Sequence, residues 1–503
     1  MKRAILILLV IVMLFSVAAC GGGKSDSKDK VEITVANNRL PNSLDPLTED
    51  AAHSYSITHQ IYDRLVSFGL QDNAWQPAVA KSWKQVDDTT WTFDINLDYK
   101  FQNGKQLTMD DVMYSFERLK DVPKQADAAA SIADISYEGT TLTIKFTDAS
   151  LTSPSRLLAN VVIINKEYVE NGGDDAIYIN PIGTGPYKKT EFTPGATATI
   201  ETWDGYPFEK PQIDIIHFRA IEESSTRYVA LETGEVQFIG FINATEYDLA
   251  KENPDLDVGN ANSRRCWSLV FNCETGPFVD NVNLRKGICY AIDRDSWIQL
   301  AGGQRVAQTS MLFNGYPDLY AESDKVPGYD LDKAKELLEG EGINPNNRLA
   351  VNLICVEGDP GLDMLAATLY QLGVDLNINI LEHSVYLQKE GAGEFDMAFI
   401  PQANRANHPL NDLDRFDSRL IGTRDLARYT NPKCDELIDK MRVESDSAKI
   451  KEMAKELNDI VAEDCPWPAL YLSPMLFAFA KGLSGVTVDG FQTQNYRNAT
   501  YNP

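Results

Sequence analysis

Histidine is scarce in this chain, five in 503 residues, and basic residues are outnumbered by acidic ones, 47 against 73, for a formal net charge of −26. Surfaces that bind nucleic acid are basic, so no DNA or RNA partner is expected. A small solute is not excluded, because a local basic pocket can sit inside an acidic shell. The histidines at 53, 59, 217, 383 and 408 include no short ligand pair beyond His53 and His59, and no metal site or cofactor is expected. Gly-x-Ser-x-Gly, His-Glu-x-x-His and Gly-x-x-x-x-Gly-Lys-Ser are all missing, which removes three common enzyme signatures. No catalytic residue is assigned. A secreted hydrolase using two of the many carboxylates stays as the alternative from a different class.

Long apolar runs are missing too, except at the start. Lys2 and Arg3 precede an uncharged run from Ala4 to Ala19, and Val17-Ala18-Ala19-Cys20 stands before three glycines. A basic start, a short apolar core and small residues at the cut read as a secretory signal. A membrane anchor is the competing reading, and the run is short of the ~20 residues needed to span. Val17-Ala18-Ala19-Cys20 resembles a bacterial lipobox, which implies removal of 1–19 and diacylglycerol on Cys20. Residues 21–30 contain no apolar side chain, so 20–30 read as a lipidated flexible tether. The body is then expected on the extracytoplasmic side, at the outer face of the cytoplasmic membrane or in a periplasm.

Cysteine is sparse as well. Beyond Cys20 there are Cys266, Cys273, Cys289, Cys355, Cys434 and Cys465. Outside the cytoplasm these can pair, with fifteen arrangements if all take part, or stay as buried thiols in a body too large to need staples. Both readings are open.

What is present is an alternation of strand and helix signals over a length that calls for two or more lobes. Residues 31, 33 and 35 alternate as a half-buried strand, followed by an Asn- and Pro-rich loop, 37–46, of the kind that carries ligand contacts. A helix is expected over 55–66. Trp91 to Leu97 and Leu142 to Phe146 alternate as strands, and Thr108 with Asp111 forms a capping box for a helix through Phe116. Residues 55–175 thus form a mixed unit of their own. The turn Pro181 to Tyr187 holds Gly-x-Gly but lacks a third glycine and leads into a strand, so it is no dinucleotide fingerprint. Ile213 to Phe218 reads as a central strand covered on both faces, with His217 structural. Further on, Cys266 to Asn272 is an apolar strand, Asn283 and Asp330 can each cap a helix, and residues 351–380 read strand, helix, strand. That order implies a largely parallel sheet faced by helices. Pro468 and Pro474 split the apolar run 467–480 into paired crossing segments.

Pro41 to Pro46, Gln60 to Leu65, Phe101 to Val112, Gly183-Thr184-Gly185-Pro186-Tyr187, Ala230 to Val236, Phe271-Asn272, Arg285-Lys286-Gly287 and Tyr290-Ala291-Ile292-Asp293 resemble segments of the peptide and nickel family of solute-binding proteins of ABC importers. The likeness covers nearly the whole mature chain. It implies an α/β, two-lobed clamshell of the periplasmic-binding-protein type (type II, cluster C), with an extra subdomain, about 55–175, in the first lobe. Lobe I would span 31–262 and the C-terminal return 481–503. The first crossover would be 263–271, lobe II 272–470 and the second crossover 471–480. The resemblance implies a monomer that captures a small solute, most often a peptide, and passes it to a membrane-embedded permease. A non-peptide anion or a metal chelate is the alternative cargo.

By resemblance, Arg39 and Leu40 lie in the first ligand-facing loop, Arg264, Arg265 and Trp267 lie at the first crossover, and Trp267 either stacks on ligand or fills the hinge core. Peptide-binding members carry, in the second lobe, an aspartate three residues before an acidic residue and proline, which receives the peptide's amino end. Here Arg405 stands three residues before His408-Pro409, and a cation there would repel an ammonium. Either Arg405 and His408 face an anionic group, or the match slips and Asp412 or Asp414 is the anchor.

Overall fold

Two large sheets joined by two neighbouring crossings carry the architecture. The computed structural model describes residues 30–49, 52–68, 75–87, 89–147, 161–261, 265–300, 304–309, 323–403, 413–444, 446–489 and 493–503. Among them, the first sheet runs in the order Leu256–Ala261, Met475–Ala480, Phe238–Ile239, Glu32–Asn37, Ile215–Ala220, Thr197–Thr202, Tyr187–Thr193. Glu32–Asn37 is central and parallel to both of its neighbours, with Ile33, Val35 and Ala36 fully buried. Ile215–Ala220 is covered on one face rather than two. Ile216 and Phe218 are buried while Ile215, His217 and Arg219 are half-exposed. The open face suits its ionisable side chains: His217 contacts Glu32 at 3.4 Å and Thr199 at 3.2 Å, and Arg219 donates to Glu235 at 2.5 Å.

The helix expected over 55–66 is Ala52–Ile61, and Val66–Phe68 is a strand. The Ile61 carbonyl accepts from Gly185 N and from the Gln102 side chain, both at 2.8 Å, so the chain docks on a turn where a further helical turn would have begun. A Cβ on Gly183 or Gly185 would lie 2.1 or 2.4 Å from the carbonyl oxygens of Ile61 and Gln60. The Gly-x-Gly motif therefore serves a close approach of two backbones.

The small four-stranded antiparallel sheet, Ala80–Gln85, Thr90–Ile95, Thr141–Phe146 and Ile132–Glu138, is the core of the extra subdomain. Its helix Met109–Glu117 starts at a complete Thr108–Asp111 capping box. A bidentate pair between Arg118 and the buried Asp45, at 3.0 and 2.6 Å, fastens it to the loop after the first strand.

The second large sheet runs Val306–Ala307, Ala469–Leu472, Arg265–Phe271, Met397–Ala403, Leu349–Cys355, Val374–Ile380. Leu349–Cys355 and Val374–Ile380 are parallel, joined by helix Pro360–Leu372, as the strand-helix-strand pattern requires. Apolar clusters pack against this sheet. Asp330 caps its helix, accepting from Lys333 N at 2.9 Å. The helix Val282–Tyr290, however, is capped by Asn281, and Asn283 instead donates to Glu341. The chain is still non-helical at Asn281, so that residue is the one able to reach the first free N–H.

Both crossings run side by side. Ala261 pairs with Met475 in the first sheet and Cys266 pairs with Leu472 in the second. The prolines set this path: Pro466 and Pro468 offer only carbonyls, which accept from Phe271 and Leu269 at 3.0 and 3.1 Å, and Pro474 separates the last strand of one sheet from the next strand of the other. Among the described residues no helix is long and apolar enough to cross a membrane.

Candidate ligand-binding cleft

In sheets of this kind ligands bind beyond the carboxyl ends of the parallel strands. Strand register shows where those ends lie. Ile239 opposes Ala478 on the strand that begins at the crossing, and Ala403 opposes Arg265, the first described residue after the other crossing. The carboxyl ends of both sheets therefore sit on the crossing side, and the cleft between the lobes opens there.

At the lobe I rim the end of the first strand is held by neutral groups. Asn37 is wholly buried at the end of its strand and exchanges two hydrogen bonds with Gln494, at 3.2 and 2.8 Å. Gln494 also accepts from Tyr496 at 2.7 Å, and its carbonyl accepts from Gln60 at 3.1 Å. Gly240 is confined by this pair, since a Cβ would lie 2.5 Å from the Gln494 amide nitrogen. Beside it Phe241, half-buried, adopts a left-handed φ of 57°. Its carbonyl and those of Ile221 and Glu222 are gathered by the buried Arg227 at 2.5–2.6 Å. A bulky residue held in that region marks strain that surrounding contacts must maintain, and such strain concentrates at binding sites.

The lobe II rim is ionic. Asp359, buried in the segment after Leu349–Cys355, accepts four hydrogen bonds: Trp297 Nε1 at 2.7 Å and Gly361 N at 2.9 Å on one oxygen, Arg305 Nη1 at 2.7 Å and Tyr471 Oη at 2.8 Å on the other. The Arg305 guanidinium lies 4.2 Å from the centre of the Tyr471 ring. Gly361 is required here, because a Cβ would run into the Trp297 indole at 2.0 Å. Burial holds the Tyr471 phenol far above its usual range, so it acts as a donor. With four donors Asp359 has little capacity left for an incoming ammonium. Arg305 uses one N–H on Asp359 and its side chain is 21% exposed, so it can receive an anion.

Of the residues singled out from sequence, Arg39 is exposed in the loop after the first strand and Leu40 is buried. Arg39 and burial together hold His53 at about 4, burial contributing more. Arg265 is exposed at the start of its strand, opposite Ala403. Trp267 is 6% exposed and stacks on Phe399 at 4.6 Å and on Tyr471 at 6.2 Å. It thus joins the aromatic group around Trp297, Tyr471 and Asp359. Asp414 is occupied by Arg442 at 2.8 Å. Cys20, Arg264, Arg405, His408 and Asp412 lie outside the described residues. Sequence reasoning passed over Arg305, Asp359 and Phe241. The available signals were Asp-Pro-Gly at 359–361 and Gly-Phe at 240–241, each of which also reads as an ordinary cap or turn. Among the described residues no group of three or more His, Cys, Asp or Glu side chains could hold a metal ion.

Two lobes with facing strand ends and paired crossings define a clamshell solute-binding protein. The chain belongs to the bacterial extracellular solute-binding proteins, family 5, whose middle-region model matches residues 74–421. It is 23% identical to the dipeptide-binding protein of Escherichia coli K12 over 92% of each chain, and 23% identical to the oligopeptide-binding protein OppA of Bacillus subtilis over 99% of each. Its fold matches NikA from Brucella suis in complex with Fe(III)-EDTA with a TM-score of 0.82 at 19% identity, covering 94% of this chain and 100% of that one. It is an extracytoplasmic solute-binding protein that delivers a small solute to an ABC importer.

Proposed function

We propose that the solute is a small peptide, bound through its carboxylate between the closing lobes. The observation that carries this reading is Arg305, stacked on Tyr471, oriented by Asp359 and with its side chain 21% exposed. A guanidinium fork matches a carboxylate, and enclosure strengthens the pair by removing water. Relatives named for dipeptide and oligopeptide binding support the peptide class. Arg405, two residues past the strand Met397–Ala403, is proposed as a second cation, with His408 beside it, and Arg39 and Arg265 as contributors from the first loop and the crossing. Trp267 acts by backing Tyr471, and Leu40 by packing the loop.

A second reading follows from the saturation of Asp359 and from arginine at 405. A solute without a free amine, such as a small organic anion or a polycarboxylate metal chelate, meets the same cations. We further propose removal of 1–19 and lipidation of Cys20, which tethers the body, with lobe I as 31–262 plus 481–503 and lobe II as 272–470. The intact mass of detergent-extracted protein reads the lipid directly.

Titration calorimetry with di- and tripeptides, their N-acetylated forms and citrate tests the solute class. Arg305→Ala is expected to weaken whichever carboxylate binds by more than tenfold, the usual loss when an enclosed charge partner is removed. Unchanged affinity in that variant sinks the anchoring role. Tolerance of N-acetylation favours the amine-free reading, and its rejection favours an ordinary peptide.

A further inference from the structure

Six cysteines are thiols in the structure, and two of them meet. Cys289 lies on helix Val282–Tyr290, and Cys465 ends helix Ser447–Asp464 in a left-handed turn with φ 50°. Both side chains belong to one buried cluster of the second lobe, near enough for each thiol to act on the other's proton affinity, and the Cys465 thiol donates to the Ala462 carbonyl at 3.0 Å. The two helices are also tied by Arg285, whose Nε donates to the Asp464 carbonyl at 2.8 Å. The other four thiols have different neighbours. Cys266 faces the Trp267 carbonyl and the Ser268 hydroxyl at 3.6 and 3.7 Å, Cys273 the Phe271 carbonyl at 3.6 Å, Cys355 the Asn379 carbonyl at 3.8 Å, and Cys434 neighbours Tyr429.

We propose that Cys289 and Cys465 are joined as a disulfide in the exported protein, and that this bond closes nearly the whole of lobe II into one covalent loop. Export takes the chain to where disulfides form and persist. The surroundings also favour the reaction. Arg285, Lys286 and Arg294 stand near the pair, and the neighbouring Cys289 thiol, with Lys286 and Arg285, holds the Cys465 thiol below its usual range. Arg294 keeps one buried guanidinium nitrogen without a partner and lines a small cavity together with Cys465. A thiolate in a basic setting is the attacking species in exchange.

The oxidant is an external disulfide, RSSR, carried by a protein or by a small thiol. The Cys465 thiolate attacks one sulfur of RSSR, forming a mixed disulfide and releasing the first RS⁻, which takes up the Cys465 proton. Cys289, losing its proton to solvent, then attacks the Cys465 sulfur and expels the second RS⁻, which is protonated in turn. Two thiols have lost two electrons and RSSR has become two RSH. Once formed, the bond ties the first helices of lobe II to the segment that returns to lobe I, so strands that carry the Arg305 and Asp359 rim lie inside the loop. Constraining so long a loop restricts the unfolded chain.

The test uses the full chain exported with its own leader, quenched with N-ethylmaleimide under denaturing conditions and digested without reduction. One linked peptide pair joining Cys289 to Cys465 is expected, with Cys266, Cys273, Cys355 and Cys434 alkylated. Cytosolic protein treated with oxidised glutathione should acquire the same link. Reduction should lower Tm by ~5 °C or more in the unaltered protein and leave the Cys289→Ser, Cys465→Ser double variant unmoved. Alkylation of all six cysteines in the exported chain, or a linked pair with other partners, overturns the proposal. If the double variant does not fold, the peptide map of the unaltered protein decides alone. The peptide reading above is untouched by either result, because the cysteine pair takes no part in it.

Discussion

The two rims of the cleft solve one task with opposite chemistry. In lobe I the strand ends are fixed by amides, Asn37 with Gln494 and Gln60, and the partner comes from the far C-terminal tail, 457 positions away. In lobe II they are fixed by a carboxylate with four donors, one of them the cation Arg305. A neutral amide network is satisfied within itself, so it holds shape without demanding anything of the ligand. A buried ion pair with one member partly open is different: the arginine both braces the rim and retains binding capacity. The difference teaches that the Asn37–Gln494 pair leaves no bonding group over, whereas the Arg305 side chain stays partly exposed after bracing its rim.

The sharpest way to break this contrast is Asp359→Ala. It leaves Arg305, the Trp297 indole and the Tyr471 hydroxyl without their shared acceptor, and removing one member of a buried pair typically costs about 3–5 kcal/mol. Urea melts should show that loss, and a change under ~1 kcal/mol would mean that the network is not a brace.

The next effect lies in lobe I and depends on pH. His53 is buried, and burial with the nearby Arg39 holds it at about 4 in the fold, against an ordinary value of 6.5. The folded state therefore keeps it neutral while the unfolded chain takes up a proton below pH 6.5. Its contribution is fully present above that pH and is lost as pH falls from 6.5 towards 4. Over that window the unaltered protein should lose about 2–3 kcal/mol relative to His53→Gln. Parallel acid limbs for the two proteins would show that burial and the nearby Arg39 do not hold the imidazole neutral.

Smallest of the three is Asn37→Ala. It strands the Gln494 amide nitrogen, an uncharged donor, and a buried unsatisfied neutral group costs about 1–3 kcal/mol. A loss equal to that of Asp359→Ala would erase the distinction between the rims. Solute affinity sharpens the same point, since Asn37→Ala should change it far less than Arg305→Ala.

How much of this was legible beforehand can be judged from single residues. The Thr108–Asp111 box, the Asp330 cap and the alternation in Glu32–Asn37 are local, and each appears where its pattern calls for it. The helix expected beyond Ile61 failed because a distant turn, Gly183 to Gly185, takes the Ile61 carbonyl. That competition is invisible in a local window. Trp267 was recognised as a crossing aromatic, but whether its ring would be open could not be read from the strand that carries it; Phe399, Trp297 and Tyr471 surround it. Asp359 carried only the signature of a helix cap, a role it also fills by accepting from Gly361 N.

By itself the sequence determined the lobes, the strand-helix order, the crossing at the prolines and the membership of a solute-binding family, because periodicity, caps and short motifs act over a few residues and are written where they act. Only the tertiary structure decided which cation stands on which carboxylate, which glycine makes room for Trp297, which thiols share a buried cluster, and which strand end is held by an ion pair. Those pairings join residues tens to hundreds of positions apart. They exist only once the sheets have closed their registers and burial has removed the water that would otherwise have satisfied each group alone.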